Sequence, residues 1–380
     1  MSKSRGKPGR SATFATNTPK TRRSFLKGAV AGTAAAATVA APAIAAGKVK
    51  WNMITTWPKN FPGVGTAAQS IADRITAMSD GQLEVKLYGA GELVPAFELF
   101  DAIRDGTAQC GHDAPYYWVA KHKSAPFFCT VPGGLTPTEQ MGWISHGGGQ
   151  ALWDELYGRF GLRAWMGGNA GMQFMGWFKN EIKSLDDLQG LKIRMAGLHA
   201  EVFNRMGATA VNMSGGEIMP ALQSGVIEAA EWGGPWMDVA FGFYKVIKYC
   251  YGPGAHEPGA MNSLVVNLDA YEDLPKHLQV IVRYAAEAQV ANTLGQFNAR
   301  NAVSLESLKE KYGVTPGIFP DDVLKAWFEK SAEVVAEAAA EDELGQRIYD
   351  SWAQYRQRAI ALAPYADYGF MQARARAAIG

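Results

Sequence analysis

Cysteine and histidine are scarce in this 380-residue chain, which contains three cysteines and six histidines. Cys110, Cys129 and Cys250 allow one disulfide, but without Cys-x-x-Cys spacing they indicate no disulfide framework, haem attachment site or cysteine zinc site. No two histidines form a His-x-x-x-His pair, which argues against a zinc site. The sequence also lacks a Gly-x-Ser-x-Gly elbow and a phosphate-binding glycine loop, so it shows no hydrolase or nucleotide motif.

Acidic residues are absent from the first 46 positions, which carry eight lysines and arginines. The paired Arg22 and Arg23 precede an uncharged run, rich in alanine and glycine, from Gly28 to Ala41. This run is shorter than the roughly 20 strongly apolar residues that a membrane span needs. We therefore expect residues 1–46 to be a twin-arginine signal peptide, cleaved near residues 45–46, and the mature protein to be periplasmic.

The chain beyond position 46 has no excess of positive charge. It carries 29 lysines and arginines against 36 aspartates and glutamates, a formal charge of −7. An acidic protein offers no electrostatic footprint for nucleic acid, which we exclude as a partner. The remaining 334 residues suffice for two domains of ordinary size.

Strand and helix patterns alternate along this region. Val49–Trp57 and the alternating Leu83, Val85 and Leu87 are typical of strands, and the apolar spacing from Thr66 to Met78 predicts a helix between them. Such spacing indicates parallel βαβ units. The pattern repeats with a glycine-broken helix from Gln140 to Phe160 and a strand from Met172 to Phe178. From Leu278 onward the sequence predicts almost only helix.

Two segments match each other at an offset of 119 residues. Ala102–His112 and Ala221–Glu231 each run from a helix end through a glycine into a short strand of small residues. The second copy delivers Glu231 and Trp232 to a Gly-Gly-Pro turn, and strand ends of this kind hold ligands in open α/β sheets. We expect two lobes that close on a small molecule, joined by a hinge of crossing strands because no low-complexity linker separates them.

Oxygen-bearing groups and one arginine fall at loop positions in the second half of the chain. Gln173, Glu231, Glu257 and the Trp232 carbonyl would suit a hard cation such as Na⁺ or Ca²⁺. The planar guanidinium of Arg194 would suit a substrate carboxylate. Taken singly, such residues are most often solvated surface groups, so their spacing alone is a weak indication.

Several motifs occur in a fixed order along the mature chain: Gly89–Pro95, Gly167–Gln173, Gly176–Phe178, Gly190–Met195, Gly215–Leu222, Glu231–Pro235 and the loop around Glu257. In this order they resemble the extracytoplasmic solute-binding subunit of tripartite ATP-independent periplasmic (TRAP) transporters, most closely its α-keto acid-binding branch. The resemblance implies a two-lobed periplasmic binding protein fold of the type II kind. One departure stands at Ala255-His256, where the branch often has bulky aromatic residues.

The resemblance also implies roles for individual residues. The cation would be held by Gln173, Glu231, the Trp232 carbonyl and Glu257, and the ligand carboxylate by Arg194. The other ligand oxygens would contact Asn169 and Tyr116 or Tyr117, although core packing is the default role of such tyrosines. Two glutamates, the ligand and Arg194 sum to −2, which calcium neutralises and sodium does not. The branch points to sodium instead, so both ions stay open.

The function implied is capture of a small 2-oxo or 2-hydroxy monocarboxylate, such as pyruvate, for delivery to a TRAP membrane permease, without catalysis. Two alternatives are an exported metal-dependent enzyme acting on a small carboxylic acid and a ligand sensor for a signalling receptor. We expect residues 47–170 to form mainly the first lobe and 171–265 mainly the second. Residues 266–380 should be a helical region that packs on the lobes or on a second subunit, in a possible homodimer.

Overall fold

A computed structural model of the protein describes residues 47–377, which form two β-sheets with helices packed on both. The expected signal peptide at 1–46 lies outside the described residues. The strands are β1 (Val49–Thr55), β2 (Leu83–Tyr88), β3 (Cys110–Asp113), β4 (Leu162–Asn169), β5 (Gly176–Phe178), β6 (Lys192–Arg194), β7 (Thr209–Val211), β8 (Ala229–Ala230), β9 (Tyr249–Gly252), β10 (Met261–Asn267) and β11 (Gly317–Ile318). The helices are α1 (Val64–Met78), α2 (Leu99–Arg104), α3 (Pro137–His146), α4 (Gly149–Gly158), α5 (Gly197–Arg205), α6 (Gly215–Ser224), α7 (Pro235–Phe241), α8 (Leu268–Glu272), α9 (Lys276–Glu310), α10 (Asp321–Ala339), α11 (Glu343–Leu362) and α12 (Asp367–Arg376).

The first sheet has the order β2-β1-β3-β10-β4. Its first three strands are parallel, as the βαβ pattern predicts, and β10 enters antiparallel between β3 and β4. In β2, Leu83, Val85 and Leu87 are buried while Glu84 and Lys86 are exposed, which confirms the predicted alternation. The buried face of α1 packs against this strand.

The second sheet has the order β11-β9-β5-β8-β6-β7. Its strands are two to four residues long, and β6 lies parallel between β8 and β7. Because β8 is only Ala229–Ala230, the acid that follows it, Glu231, stands directly beside the end of β6 at Arg194. The carboxylate of Glu231 and the guanidinium of Arg194 therefore come from the carboxyl ends of two adjacent parallel strands.

Two chain segments cross between the sheets, residues 170–175 after β4 and 253–260 before β10. They are hydrogen-bonded to each other, with Ala170 N donating to Ala260 O at 3.0 Å and Gly254 N donating to Gln173 O at 2.9 Å. These paired crossings match the connection predicted from the absence of a linker. The lobe boundaries predicted at residues 170 and 265 remain a prediction.

The 35-residue helix α9 contacts β4 of the first sheet and also α7, the helix that follows β8 of the second sheet. The Thr293 hydroxyl accepts a hydrogen bond from Asn169 N at 2.8 Å, and the Asn301 side chain accepts one from Trp236 N at 3.0 Å. Further along, α10 packs on α5, and α11 packs on α3 and α4. The C-terminal helices thus contact α5, which follows β6 of the second sheet, as well as α3 and α4, which precede β4 of the first sheet.

One local prediction is confirmed and one was wrong. The glycine break predicted in the helix from Gln140 to Phe160 is present, because Gly148 adopts the left-handed conformation at φ 94° between α3 and α4. The predicted strand from Met172 begins only at Gly176, since the preceding residues form a crossing segment. The three cysteines are buried and free, and no helix within residues 47–377 is long and apolar enough to span a membrane.

Candidate cation and carboxylate site

The turn after β8 carries the first part of the site. Glu231 and Trp232 lead into Gly233-Gly234 and the start of α7 at Pro235. The ring of Trp232 lies against Gly215 so closely that a Cβ at Gly215 would stand 2.6 Å from it. The absence of a side chain at Gly215, the first residue of α6, therefore leaves room for the Trp232 ring.

Arg194 and Glu231 form a fully buried ion pair, with each side chain about 1% exposed. Arg194 Nη1 donates to the Glu231 carboxylate and also to the Glu231 carbonyl, the latter at 2.9 Å. The guanidinium lies over the Trp232 ring, 5.2 Å from its centroid. Arg194 Nη2 is buried without a hydrogen-bond partner in the described residues. A charged donor is therefore left open for an incoming anion.

The crossing segments carry the other two predicted cation ligands. Gln173 Nε2 donates to Glu257 Oε2 at 2.7 Å, which joins one crossing to the other. Gln173 Oε1 and Glu257 Oε1 remain buried without partners. The Trp232 carbonyl likewise accepts no hydrogen bond from residues 47–377. Three oxygen acceptors are thus left unsatisfied, an expensive arrangement unless a cation or donor fills it.

The pKa values of the two glutamates are shifted in opposite directions because their surroundings differ. Burial raises the pKa of Glu231, but the charge of Arg194 and contacts with His256 outweigh it, and the net pKa lies below the usual value. Burial and the nearby charge of Glu231 raise the pKa of Glu257 well above its usual value, despite the hydrogen bond from Gln173. A second positive charge near Glu257 would reverse this effect.

His256, a histidine that the sequence patterns had set aside, joins the cluster. Glu231, His256 and Glu257 each offer a ligand atom within 4.8 Å of the others, and all three are buried. His199 packs edge-on against His256, with ring centroids 5.6 Å apart. Burial lowers the pKa of His199 to about 3, and its Nδ1 lies 2.9 Å from the Ala196 carbonyl. A search for paired histidines misses both residues because they come together only in the fold.

A cavity beside this cluster is lined mainly by aromatic and amide side chains: Trp57, Tyr116, Tyr117, Gln173, Trp232 and Asn262. The structure thus brings both predicted tyrosines to the same space as Gln173 and Trp232. Trp57 and Asn262 were missed, since Trp57 follows β1 and Asn262 lies in β10, and the long-range pairing of these strands places both residues there. The Trp57 indole donates to His112 Nδ1 at 2.8 Å, so its ring rather than its N–H faces the cavity.

Asn169 is buried but committed to the backbone. Its Oδ1 accepts from Gly171 N at 2.8 Å, and its Nδ2 donates to the Gly259 carbonyl at 3.4 Å. The side chain therefore ties the two crossing segments together, and contact with a ligand remains a prediction. Directly after the first copy of the internal match, Asp113 is bonded into the core by Trp118 and Ser263.

Known proteins are similar to this chain over most of its length. Residues 53–342 match the model of the DctP family, described as bacterial extracellular solute-binding protein, family 7. The chain belongs to this family. A monocarboxylate 2-oxoacid-binding periplasmic protein of Nostoc sp. PCC 7120 is 36% identical over 313 residues, which cover 82% of this chain and 85% of that protein.

Two solved DctP-family structures extend the comparison. A TRAP periplasmic solute-binding protein of Pseudoalteromonas atlantica, with bound sodium and pyruvate, is 36% identical with a TM-score of 0.83 and covers 86% of this chain and 99% of its own. A TRAP solute-binding protein of Bordetella bronchiseptica, a mixed-occupancy dimer with bound calcium and picolinate at its active site, is 32% identical with a TM-score of 0.84. The match covers 87% of this chain and 99% of that one. The fold is that of these binding proteins.

Proposed function

We propose that this protein is a periplasmic solute-binding protein that captures a small 2-oxo or 2-hydroxy monocarboxylate together with Na⁺ or Ca²⁺ and delivers it to a TRAP permease. The observation that carries the proposal is the open Nη2 of Arg194 beside a cluster of unsatisfied oxygen acceptors. A guanidinium donor suits a carboxylate, and the oxygens suit a hard cation. Relatives that bind pyruvate or a 2-oxoacid support the ligand class.

In this proposal the chain divides the two tasks between its residues. Glu231, Glu257, Gln173 Oε1 and the Trp232 carbonyl hold the cation, which supplies positive charge between the glutamates. Arg194 orients the ligand carboxylate, and Tyr116, Tyr117 and Asn262 bound the rest of the ligand. Because these groups come from both sheets and both crossings, ligand binding favours a closed arrangement that excludes water.

The site supports binding rather than catalysis. Its arginine and glutamates are arranged as counter-charges. The hydroxyl groups in the cavity lining are the phenols of Tyr116 and Tyr117, and burial raises the pKa of both above the usual value. Neither phenol is an activated nucleophile or a base near neutral pH. We propose that bound pyruvate leaves the protein unchanged, and that residues 1–46 export the protein by the twin-arginine route.

Calorimetry of the mature protein, residues 47–380, tests the proposal. After dialysis against chelator, we expect pyruvate to bind in the presence of NaCl or CaCl₂ and at least about tenfold more weakly in choline chloride with chelator, since the cation cancels charge next to the ligand. Propionate, which lacks the 2-oxygen, is the matched control and should bind more weakly than pyruvate. Absence of binding by pyruvate, lactate and 2-oxobutyrate with every cation would refute the proposal, and NMR of the recovered ligand checks for turnover.

We further propose that the protein is a homodimer through its C-terminal helices. The end of α11 and the helix α12 expose several large apolar side chains: Ile360, Leu362, Tyr365, Tyr368, Phe370 and Met371. Tyr365 is 89% and Phe370 64% exposed, and α12 contacts mainly its own preceding turn at 363–365. The Bordetella relative, described as a dimer, supports a second copy as the occupant.

Sedimentation velocity checks the dimer. The mature protein should sediment at twice the monomer mass, and Phe370→Asp should shift it to the monomer because a charge in an apolar interface is costly. Phe328→Asp, on the exposed side of α10, is the matched control and should leave the mass unchanged. A wild-type monomer at micromolar concentration would contradict the prediction.

A further inference from the structure

His112 ends the first copy of the internal match, at the position that Glu231 occupies in the second copy. It lies in β3 and is completely buried. The residues that line the ligand cavity do not include it, and the proposed cation and ligand contacts give it no role. Its role must therefore come from its hydrogen bonds to other residues.

Both ring nitrogens of His112 are hydrogen-bonded. Nδ1 lies 2.8 Å from Trp57 Nε1, and Nε2 lies 3.2 Å from the Gly167 carbonyl oxygen. Because an indole N–H only donates and a carbonyl only accepts, Nδ1 is the acceptor and Nε2 carries the proton. The ring is thus neutral and in one tautomer, and burial lowers the pKa of His112 to about 4. The bond from Trp57 is therefore kept at neutral pH.

The first sheet holds His112 in place. In the sheet, β3 lies between β1, with Thr55 opposite His112, and β10, with Leu264 opposite His112. The His112 carbonyl accepts hydrogen bonds from the Thr55 hydroxyl at 2.7 Å and from Thr56 N at 3.3 Å. Backbone and ring are thus both fixed, and the Nδ1 acceptor has a defined position beside the end of β1, which Trp57 follows.

Trp57 connects this histidine to the cavity. Its ring is part of the cavity lining and contacts two other lining residues, Tyr117 with ring centroids 5.9 Å apart and Trp232 with centroids 6.1 Å apart. Trp57 follows β1 of the first sheet, whereas Trp232 follows β8 of the second. Rotation of the indole about its side-chain bonds would break the bond to His112, so this bond keeps the ring in contact with Tyr117 and Trp232.

We propose that His112 is a positioning residue that holds the Trp57 ring as a fixed wall of the ligand cavity, so that ligand affinity and discrimination by ligand size both depend on it. The inference rests on the proposed function and extends its site by a residue outside the cavity. A wall that is ordered before the ligand arrives avoids the free energy of immobilising a side chain on binding. A fixed wall also clashes with ligands bulkier than the cavity, whereas a mobile indole moves aside.

Two substitutions of His112 separate its two ring bonds. Asparagine places an amide oxygen near the Nδ1 position and can accept from Trp57, whereas glutamine reaches the Nε2 position and can donate to Gly167. In calorimetry with saturating CaCl₂, His112→Gln should bind pyruvate about 5- to 10-fold more weakly, and His112→Asn should stay within about twofold of the wild type. His112→Gln should also lower the preference for pyruvate over the branched 3-methyl-2-oxobutanoate at least about threefold.

A double-mutant cycle determines whether His112 acts through Trp57. Trp57→Phe keeps an aromatic ring but lacks the N–H, so His112→Gln should change pyruvate affinity less than about twofold in that background. In the wild type, ¹⁵N NMR of the His112 ring should show a protonated Nε2 and an unprotonated Nδ1, a readout that needs no variant to fold.

Ser351→Ala is the matched control. The Ser351 hydroxyl accepts a hydrogen bond at 3.1 Å from the indole of Trp143, a buried residue that does not line the cavity. This variant also removes the acceptor of a buried indole, so it should lower the melting temperature and leave pyruvate affinity within about twofold of the wild type.

Four outcomes would each overturn the inference. They are wild-type affinity in His112→Gln, equal losses in His112→Gln and His112→Asn, an undiminished effect of His112→Gln in the Trp57→Phe background, and a proton on Nδ1 in the wild type. An affinity loss in Ser351→Ala as large as that in His112→Gln would also contradict it, because the effect would then be one of stability. The wild type would still bind pyruvate in all these cases, whereas failure of pyruvate with every cation refutes the proposed function separately.

Discussion

Arg194→Ala is expected to weaken pyruvate binding at least about 100-fold, because truncating one member of a buried charge pair costs about 2–5 kcal/mol. The variant removes the open Nη2 donor and leaves Glu231 buried without its counter-charge. The pKa of Glu231 should then rise, since burial alone favours the protonated acid. Calorimetry with saturating cation measures the loss, and circular dichroism establishes that the variant is folded.

The matched variants separate charge from geometry. Arg194→Lys keeps the charge but not the planar fork, so its affinity should fall between those of the wild type and the alanine variant. Arg347→Ala breaks an exposed pair with Glu155 and should change affinity less than about twofold. Wild-type affinity in Arg194→Ala would remove this arginine from the ligand site.

Glu257→Gln is expected to act in opposite directions on stability and on cation binding. Burial and the charge of Glu231 raise the pKa of Glu257 well above its usual value. Ionisation of Glu257 therefore lowers the free energy of unfolding of the cation-free protein. Glutamine is neutral and of the same shape, and should stabilise the cation-free form by on the order of 1–3 kcal/mol near neutral pH. The same change removes one ligand charge and should weaken cation binding on the order of 100-fold.

The pH dependence follows from the sign of this shift. A carboxyl whose pKa is raised in the folded state contributes stability below its ordinary pKa and loses it as pH rises through the folded value. The free energy of unfolding of the cation-free wild type should therefore fall with rising pH above about 4.5, while cation affinity rises over the same range because a proton must leave first. Chemical unfolding and calorimetry between pH 5 and 9, in buffers of different ionisation enthalpy, measure both slopes. Glu257→Gln should flatten them, and unaltered slopes would assign the proton to another group.

The parts of the fold that periodicity predicts well are those held by local burial. The alternation in β2 and the apolar stripe of α1 follow from one buried face each, and the structure has both. The predicted strand from Met172 fails because Gln173 and Phe174 bond to Gly254 and Gly233 outside the sheet, and only Met175 bonds to a neighbouring strand, at Tyr251 of β9. Such long-range partners leave no periodic trace in the sequence.

The site shows the same division. Gln173, Glu231 and Glu257 were named from their residue types and motifs, and the structure brings them into one buried cluster with Arg194. Asn262 was missed because nothing near it in sequence marks it, and only the pairing of β10 with β4 brings it to the site. The departure at His256 from the aromatic residues of the branch was visible, but its chemistry was not.

The helix α9 is bonded at two points, once beside the first sheet and once beside the second. Thr293 accepts a hydrogen bond from Asn169 N at the end of β4, and Asn301 accepts one from Trp236 N at the start of α7. The two attachments lie eight residues, or about 12 Å, apart along the same helix. Since a helix keeps its length, any rotation that opens the site must release or slide one of these attachments. We therefore expect α9, which supplies no side chain to the cavity lining, to influence ligand affinity through the free energy of closing the site.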